Sequence, residues 1–566
     1  MNAISQPAAG RVRSNAFSLI GLLVSAAIPL AAAPSITSIQ NAASNITPGL
    51  PGAPLAQGSI FIIKGSGLGP ATISIASSPF QSTTLSGTSI SITFAATPSS
   101  PNGAIVDALM YYTSDSQVAA LLPSNTPTGS GVFKVTYNGQ TSDGVGHTVG
   151  VSSPGVFTVD STGRGPAIVT YADYSLVSSF KAANCGGPNT TCGAANPGDT
   201  LILWATGLGP VNGDDASGAG LGVNMPNLPL KLWLGGVQAP VIYQGRSGCC
   251  VGEDQIVFTV PQSVPTGCAV PLAVQIGGNI SNTTPMPVAV GSRSCNLLDP
   301  AIAQVDASQI AGTLALGVPE LDHVINSGSF QDVFQPTFLS FTVPPAFQPF
   351  AGALISNMPI GTCTASQIGL KGIENEVITN LAPVDAGSSF TISGPNGSMM
   401  VSGNPGDQVL LSAGGTFLTP GNYTITGTGG KDIGPFSATV TIPALPKLTS
   451  PASANGFTVS RNTPLTITWV PNNSPGHVEV QIGSFAAMNL GVQITCTAPI
   501  SAGTLTIPSF VLLSLPTGNG TFFNFQPGDG PGGPANESAF SAKGLALGIA
   551  QTFVDGITFN GFPITN

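Results

Sequence analysis

The second half of the chain contains short segments in which apolar and polar side chains alternate one by one. Side chains two residues apart share a face of a β-strand, so this alternation predicts half-buried strands. The clearest examples are residues 338–343, 389–392, 423–426, 438–442, 464–469 and 477–482. Residues 508–516, an apolar run between two prolines, predict one short helical turn, and the Gly-, Pro- and Asn-rich residues 517–538 predict a mobile loop.

Turn-forming dipeptides between alternating segments predict β-hairpins in the first half. Asn138-Gly139 lies within residues 134–141, and Gly-Gly pairs occupy 235–236 and 277–278. Asn and Gly accept the positive φ that two-residue hairpin turns require. With 72 Gly and 50 Pro among 566 residues and only 7% charged residues, the chain favours sandwiches of short strands over helical bundles.

The first half also contains an internal duplication. Residues 57–70 align with 197–210 at an offset of 140, and both end in Gly-Leu-Gly-Pro after an apolar strand. Residues 116–129 align with 254–267 at an offset of 138. Two matching blocks in the same order at nearly the same offset predict two copies of one domain.

These blocks carry a resemblance to a known family. The first copy contributes residues 36–44, Gly58-Ser59 and 67–69, and the second copy resembles the family more closely through residues 198–199, 204–210, 235–245 and 254–261. Residues 35–296 resemble a domain family of large secreted acidobacterial proteins, named after Solibacter and functionally uncharacterised. The resemblance implies an Ig-like (IPT/TIG-like) β-sandwich used as an extracellular module, and it implies no catalytic residues.

The predicted fold class is all-β, with tandem immunoglobulin-like sandwiches. A Pro-bounded segment at 443–446 marks a linker. At about 130 residues per sandwich, the chain divides into four domains after a signal segment. The predicted boundaries are 1–33 (signal peptide), 34–160, 161–296, 297–445 and 446–566.

The N-terminal segment predicts an exported protein, secreted or at the cell surface. Arg11 and Arg13 precede an apolar stretch at 16–30 and the small residues 31–33, which is typical of a secretory signal. No later apolar run is long enough to cross a membrane.

With 14 Lys+Arg and a net charge of -10, the chain lacks the cations that nucleic-acid binding needs.

Eight cysteines predict disulfides in an exported protein. Cys185 and Cys192 bracket a short loop and are expected to pair. Among Cys249, Cys250, Cys268 and Cys295 three connectivities are open, of which those joining Cys249 and Cys250 to the other two are favoured, because adjacent cysteines form a strained bridge. Cys363 and Cys496 pair by elimination, so the last two domains are expected to pack together. No Cys-x-x-Cys occurs, and neither a metal nor a cofactor is predicted.

A search for catalytic chemistry finds few candidates. The three imidazoles, His147, His323 and His477, are assigned structural roles, and no nucleophile elbow, P-loop or His-Glu-x-x-His motif occurs. Close carboxylate pairs are the remaining route to catalysis, as in glycosidases. The candidate pairs are Glu253-Asp254, Glu320/Asp322 and Glu374/Glu376.

Other polar and aromatic positions are interpreted as structural. Asp254 is predicted to be a turn or cap residue, and the segment 212–215 an acidic surface loop rather than a calcium site. Trp204, Trp233 and Trp469 lie in hydrophobic strands and are predicted to be core residues rather than sugar platforms.

The sequence leaves two hypotheses for the function of the protein. The first is a non-enzymatic, structural or adhesive protein of the cell surface or extracellular matrix, with glycans or other surface proteins as partners. The alternative is a carbohydrate-active enzyme or its accessory binding module, with a site built from Glu320, Asp322, Glu374 or Glu376. They differ in whether ionisable groups converge in a concave pocket.

Overall fold

The computed structural model describes residues 32–78, 80–96, 102–218, 220–297, 313–326, 329–369, 379–474, 476–518, 521–527 and 536–566. These residues form tandem immunoglobulin-like β-sandwiches, so the predicted fold class is confirmed. Residues 1–31 of the predicted signal segment lie outside the described residues.

Two sandwiches occupy the first half. The first consists of β1 (Ser35–Asn41), β2 (Leu55–Ala56), β3 (Ile60–Ser66), β4 (Ser74–Ile75), β5 (Thr84–Leu85), β6 (Thr88–Phe94), β7 (Ala104–Asp107), β8 (Leu109–Thr113), β9 (Gln117–Leu121), β10 (Gly129–Tyr137), β11 (Gln140–Thr141) and β12 (Val145–Gly150). The second consists of β13 (Gly155–Val156), β14 (Val169–Thr170), β15 (Thr200–Thr206), β16 (Leu230–Leu234), β17 (Val237–Ala239), β18 (Val241–Arg246), β19 (Asp254–Thr259), β20 (Gly267–Ile276), β21 (Asn279–Ile280) and β22 (Thr284–Val288), with a 3-10 turn at Asp215–Ser217. Because β13 pairs with β15, the second sandwich begins before the predicted boundary at residue 161.

The duplication is visible in strand pairing. In the first copy β3 pairs antiparallel with β9, Ile60 opposite Leu121, and in the second β15 pairs with β19, Thr200 opposite Thr259. Adding the sequence offsets of 140 and 138 to the first pair gives the second pair, so the two copies share one register. Each copy also has its predicted two-residue hairpin, β10–β11 and β20–β21.

The second half follows in chain order. Its strands are β23 (Thr313–Asn326), β24 (Ser329–Thr342), β25 (Cys363–Ile368), β26 (Thr379–Pro383), β27 (Ser389–Gly394), β28 (Gly397–Ser402), β29 (Val409–Ser412), β30 (Gly421–Gly427), β31 (Phe436–Ile442), β32 (Lys447–Ser450), β33 (Val459–Ser460), β34 (Leu465–Val470), β35 (His477–Ala487), β36 (Leu490–Pro499), β37 (Thr504–Ile507), β38 (Thr521–Pro527), β39 (Asn536–Phe540), β40 (Leu547–Val554), β41 (Ile557–Asn560) and β42 (Ile564–Thr565). Its helices are α1 (Ala351–Ile355) and the predicted short helix α2 (Ser509–Leu512), with 3-10 turns at Gln348–Phe350 and Ile500–Ala502.

The last two sandwiches exchange strands across the predicted boundary between residues 445 and 446. Strand β25 pairs with β36 of the later segment, while β40 lies parallel beside β23 of the earlier one. The third sandwich therefore contains β39 and β40 as well as β23, β24 and β26–β31, and the fourth contains β25 with β32–β38, β41 and β42. The division into 297–445 and 446–566 is wrong for these sheets, because alternation identifies strands but not their partners.

The predicted loop at residues 517–538 is wrong for 521–527 and 536–538, which are strands, while residues 519–520 and 528–535 lie outside the described residues. Strand β38 lies inside its sheet between β35 and β41, and β39 pairs with β40. Alternating aromatic residues, Phe523 and Phe525, fill the fourth core from β38 and are fully buried. The Gly- and Pro-rich composition of this stretch concealed a central strand.

The fourth sandwich packs against the first two. Ile46 and Leu50 of the first sandwich share its core cluster. The ring of Trp233 stacks on Phe510 of α2 with centroids 4.3 Å apart. Trp233 is thus an interface residue, while Trp469 is a core residue as predicted.

Two of the predicted cysteine pairs lie within individual sandwiches. Cys185 pairs with Cys192, as predicted. Cys363 on β25 pairs with Cys496 on β36, also as predicted, and the two residues lie opposite each other in the sheet. This bridge attaches the exchanged strand β25 to the fourth sandwich.

We expect loss of the Cys363–Cys496 bridge to destabilise the protein strongly. It closes a separation of 133 residues, for which loop-closure entropy gives about 5 kcal/mol, against about 2 kcal/mol for the 7-residue separation of Cys185–Cys192. The double Ala variants of the two pairs are matched tests, compared by urea unfolding. Equal losses of unfolding free energy in the two double variants would contradict the importance of the bridge that attaches β25.

Candidate functional site

Of the predicted carboxylates on β23, Asp322 is buried and Glu320 is half-buried. Glu320 accepts a hydrogen bond from Gln551 of β40 at 3.0 Å, and Asp322, 4% exposed, accepts one from Gln335 of β24. Burial raises the pKa of Glu320, and burial together with the charge of Glu320 raises the pKa of Asp322 to about 7. Glu374 and Glu376 lie outside the described residues.

Two of the histidines have contacts that fix local structure. His323 Nδ1 lies 2.6 Å from Asp332 Oδ1, and the second oxygen of Asp332 accepts the backbone N–H groups of Phe417 and Leu418. His147 Nε2 lies 3.1 Å from the carbonyl of Ala53, and burial lowers its pKa. These contacts connect loops to strands, which fits structural roles.

Asp254 is a turn-holding residue, as predicted. It is fully buried, accepts the backbone N–H of Leu208 at 2.8 Å and forms an ion pair with Arg246, which is 2% exposed. Arg246 also donates to the carbonyl of Gly209 at 2.8 Å. A Cβ at Gly58 of the first sandwich, where φ is +70°, would collide with this guanidinium. The pair therefore fixes the Gly-Leu-Gly turn against the neighbouring sandwich.

The acidic segment 212–215 is partly a contact between the first two sandwiches. Asp214 caps the following 3-10 turn by accepting the N–H of Ala216. Asp215 is 4% exposed and accepts both the backbone N–H and the hydroxyl of Ser124. The expectation of a plain surface loop is wrong for Asp215, because its carboxylate satisfies donors of the other copy.

The favoured pairing of Cys249 and Cys250 with Cys268 and Cys295 is wrong. Cys268 pairs with Cys295 in a buried cluster, and Cys249 pairs with its neighbour Cys250 in the β18–β19 loop. The loop brings Glu253 beside the two sulfurs, with ligand atoms within 4.8 Å of one another. Because both sulfurs are bonded in the disulfide, this group offers no thiolate to a metal.

A cavity of about 230 Å³ lies where the sandwiches meet. We call it the junction cavity. Its walls come from the first sandwich, the second sandwich, the segment around α1 and the fourth sandwich. In that order the lining residues are Ile46, Leu50 and Pro51; 163–164, Ala269, Pro271 and 280–285; Ala353, Ser356 and Met358; and 364–367, Val492 and Ser514. No carboxylate is among its described lining residues, and neither Glu320 nor Asp322 reaches it.

A hydrogen-bonded loop positions Arg164 at this cavity. Asn282, buried at the end of the β21 hairpin, donates to the carbonyls of Val156 and Gly163. The hydroxyl of Thr162 accepts the backbone N–H of Arg164. A Cβ at Gly163, where φ is +76°, would lie 2.1 Å from the carbonyl oxygen of Ser44, so the loop is held against the first sandwich.

Three residues in the walls of the junction cavity have a buried polar atom without a partner. Within the described residues, Arg164 Nη2, Thr284 Oγ1 and Ser356 Oγ are buried and make no hydrogen bond. Sequence reasoning missed all three. The available signal was the rarity of charge: Arg164 is a cation between two glycines in a chain that is only 7% charged.

Comparisons with known proteins give no family. No family model matches the chain. No curated protein matches it. The resemblance to the Solibacter-type family therefore stays a prediction. Among the described residues no helix is both long and apolar enough to cross a bilayer.

Several solved multidomain structures show a weak similarity to the chain. SGBP-B from a complex xyloglucan utilization locus in Bacteroides uniformis is 12% identical, with 72% of this chain and 97% of that chain covered and a TM-score of 0.18. Domains 5–6 of the S-layer protein SbsC are 13% identical, covering 46% and 100%, with a TM-score of 0.15. Domains FN1–FN3 of chicken CNTN1 are 7% identical, covering 66% and 100%, with a TM-score of 0.16. Similarities at this level indicate no function for the chain.

The buried carboxyl of Asp322 predicts a pH dependence of stability. The folded protein keeps this proton to about pH 7, whereas the unfolded chain loses it near the ordinary value of 3.8. The free energy of unfolding therefore falls between about pH 4 and pH 7. Asp322→Asn removes this fall, so we expect the variant to gain about 1–3 kcal/mol over wild type at pH 7 relative to pH 4.

Urea unfolding at a series of pH values measures this effect. Asp143→Asn, at an exposed position, is the matched control. The raised pKa of Asp322 would be contradicted if the difference in unfolding free energy between Asp322→Asn and wild type stayed constant from pH 4 to pH 7.

Proposed function

We propose that the protein is an exported, non-enzymatic protein that binds a ligand at the cell surface or in the extracellular matrix, with an adhesive or structural role. The observation that carries this proposal is the junction cavity, which has polar and apolar walls but no carboxylate among its described lining residues. Catalysis by general acid and base needs ionisable groups that converge on the substrate. A cavity of this composition suits binding.

The contacts of two buried carboxylates, the candidate Asp254 and the histidine-bound Asp332, support the same proposal. Asp254 is occupied by Arg246 and a backbone N–H, and Asp332 by His323 and two backbone N–H groups. Each of these carboxylates fixes a turn inside the protein. Their hydrogen-bonding capacity is used by the fold itself.

Export is supported by the cysteines and by the N-terminal pattern. All eight cysteines are paired in the structure. Disulfides persist in oxidising compartments outside the cytosol. Together with the signal-like residues 1–33, this pairing favours a place outside the cell.

The rival is a carbohydrate-active enzyme that uses Glu320 and Asp322. One observation favours it: the raised pKa of Asp322, to about 7, is what a general acid needs. Its carboxylate, however, is 4% exposed and hydrogen-bonded within the sheet, away from the junction cavity.

A combined binding and hydrolysis assay tests the two functions. We expect purified full-length protein to be retained on whole cells or on a glycan array, to release no reducing sugar from polysaccharides, and to behave alike as wild type, Glu320→Gln and Asp322→Asn. Binding does not use these groups, so retention is unchanged in the variants. Hydrolysis that is lost in Glu320→Gln or Asp322→Asn would establish the rival and reject the proposal.

A further inference from the structure

The bridge between Cys249 and Cys250 is the most accessible disulfide of the protein. Of the eight cysteines, all of which the structure describes, Cys249 alone is exposed, and Cys250 is half-buried. Each of the other three bridges contains at least one buried cysteine, and these are Cys192, Cys268, Cys295 and Cys496. Thiol–disulfide exchange begins with attack on a sulfur, so access favours the Cys249–Cys250 bridge.

The same bridge contributes little to the stability of the fold. It joins neighbours in the chain, with a sequence separation of 1, whereas Cys363–Cys496 closes a separation of 133 residues. The stabilisation that a disulfide gives by restricting the unfolded chain grows with this separation. Exposed disulfides are also the ones that are readily reduced and re-formed. The Cys249–Cys250 bridge therefore suits a reversible redox reaction better than a structural role.

Hydrogen bonds hold the backbone that follows the bridge, up to Glu253. The hydroxyl of Thr206 donates to the carbonyl of Gly252 at 2.6 Å. The hydroxyl of Tyr111, from the first sandwich, donates to the carbonyl of Val251. These contacts involve neither sulfur, so they remain when the sulfur–sulfur bond opens. The reduced thiols and Glu253 therefore stay beside one another.

The carboxylate of Glu253 lies close to the two sulfurs. Its Oε2 is 3.6 Å from Cys249 Sγ, and the ligand atoms of Cys249, Cys250 and Glu253 all lie within 4.8 Å of one another. Metal–sulfur and metal–oxygen bonds of about 2.3 and 2.1 Å at a tetrahedral angle place the two ligand atoms about 3.6 Å apart. Two sulfurs on such an ion lie about 3.8 Å apart, a separation that side-chain rotation supplies once their bond is broken.

We infer that the reduced form of this loop binds a thiophilic divalent metal ion such as Zn²⁺ or Cd²⁺, through the thiolates of Cys249 and Cys250 and the carboxylate of Glu253. Sulfur and carboxylate ligands suit zinc, and three protein ligands leave its fourth position to water. Alkaline-earth ions prefer all-oxygen sites, so two thiolates exclude them. The site lies apart from the junction cavity, because none of the three residues is among the described lining residues.

A dithiol is the reductant that opens the site. One of its thiolates attacks Sγ of Cys249, the sulfur–sulfur bond breaks, and Cys250 leaves as a thiolate that takes up a proton. The second thiol of the reductant then displaces Cys249, so the reductant becomes a disulfide and two electrons pass to the cysteine pair. Metal binding displaces the two thiol protons. The reverse exchange with a disulfide re-forms the bridge and releases the metal.

Reduction followed by metal titration tests the inference on the full-length protein. The native protein is treated with dithiothreitol, freed of it by gel filtration without oxygen, and titrated with Cd²⁺, while alkylation and peptide mass spectrometry locate the thiols. We expect alkylation at Cys249 and Cys250 while the other three bridges stay intact. Cd²⁺ then gives a thiolate-to-metal charge-transfer band, with which Zn²⁺ competes and Ca²⁺ does not. The oxidised protein gives no band.

Variants connect metal binding to the named side chains. We expect the double variant Cys249→Ser/Cys250→Ser to lose the band and to melt close to the oxidised wild type, because the bridge stabilises the fold little. Glu253→Gln weakens Cd²⁺ binding by at least about tenfold, a loss that even changes around the ligands of a metal cause, and Glu253→Asp weakens it less. Asp143→Asn, which removes an exposed carboxylate elsewhere, is the charge-matched control and leaves binding unchanged.

Several outcomes overturn the inference. They are reduction of another bridge before Cys249–Cys250, a reduced protein that gives no charge-transfer band with Cd²⁺, a band that persists in the double Ser variant, or Cd²⁺ binding by Glu253→Gln that equals the binding by wild type.

Discussion

The arrangement of the molecule depends on the crossing of β25 from the third sandwich into the fourth. Its six residues pair with β36, and Cys363 is bridged to Cys496 at the start of that pairing. The chain between β24 and β25 must therefore span two sandwiches, and α1 in this span packs on the second, where Ala353 donates to the hydroxyl of Ser179. Gln367 of β25 accepts from Thr47 of the first. One exchanged strand thus brings all four units to one point.

The contrast between two arginines shows how this meeting point differs from an ordinary interface. Arg246 has its counter-ion, and removing one partner of such a buried pair costs about 3–5 kcal/mol. The Arg246–Asp254 pair fixes the Gly-Leu-Gly turn at the junction of the first two sandwiches. Arg164 lies at the next junction and is only half-buried, so water reaches its side chain and the fold needs no carboxylate there.

What the sequence predicted well was local. The two hairpin turns depend on positive φ, which Asn138, Gly139 and Gly277 supply. The copies share a register because equal patterns fold alike. What it could not predict depends on partners far along the chain. Alternation in β25 or β40 is satisfied by any sheet with an apolar face, so exchange between sandwiches leaves no local trace. The junction cavity depends on that exchange, which explains why none of its residues was among the candidates.

Charged residues are scarce in this chain and make up only 7% of it. The chain has only 14 Lys+Arg and 24 Asp+Glu, so most of its surface is uncharged. A buried charged side chain therefore has few other charged side chains around it. Asp254, Asp215 and Asp332 each satisfy donors within the protein, two of them between distant segments. The fold therefore uses its few charges as fixed points between segments.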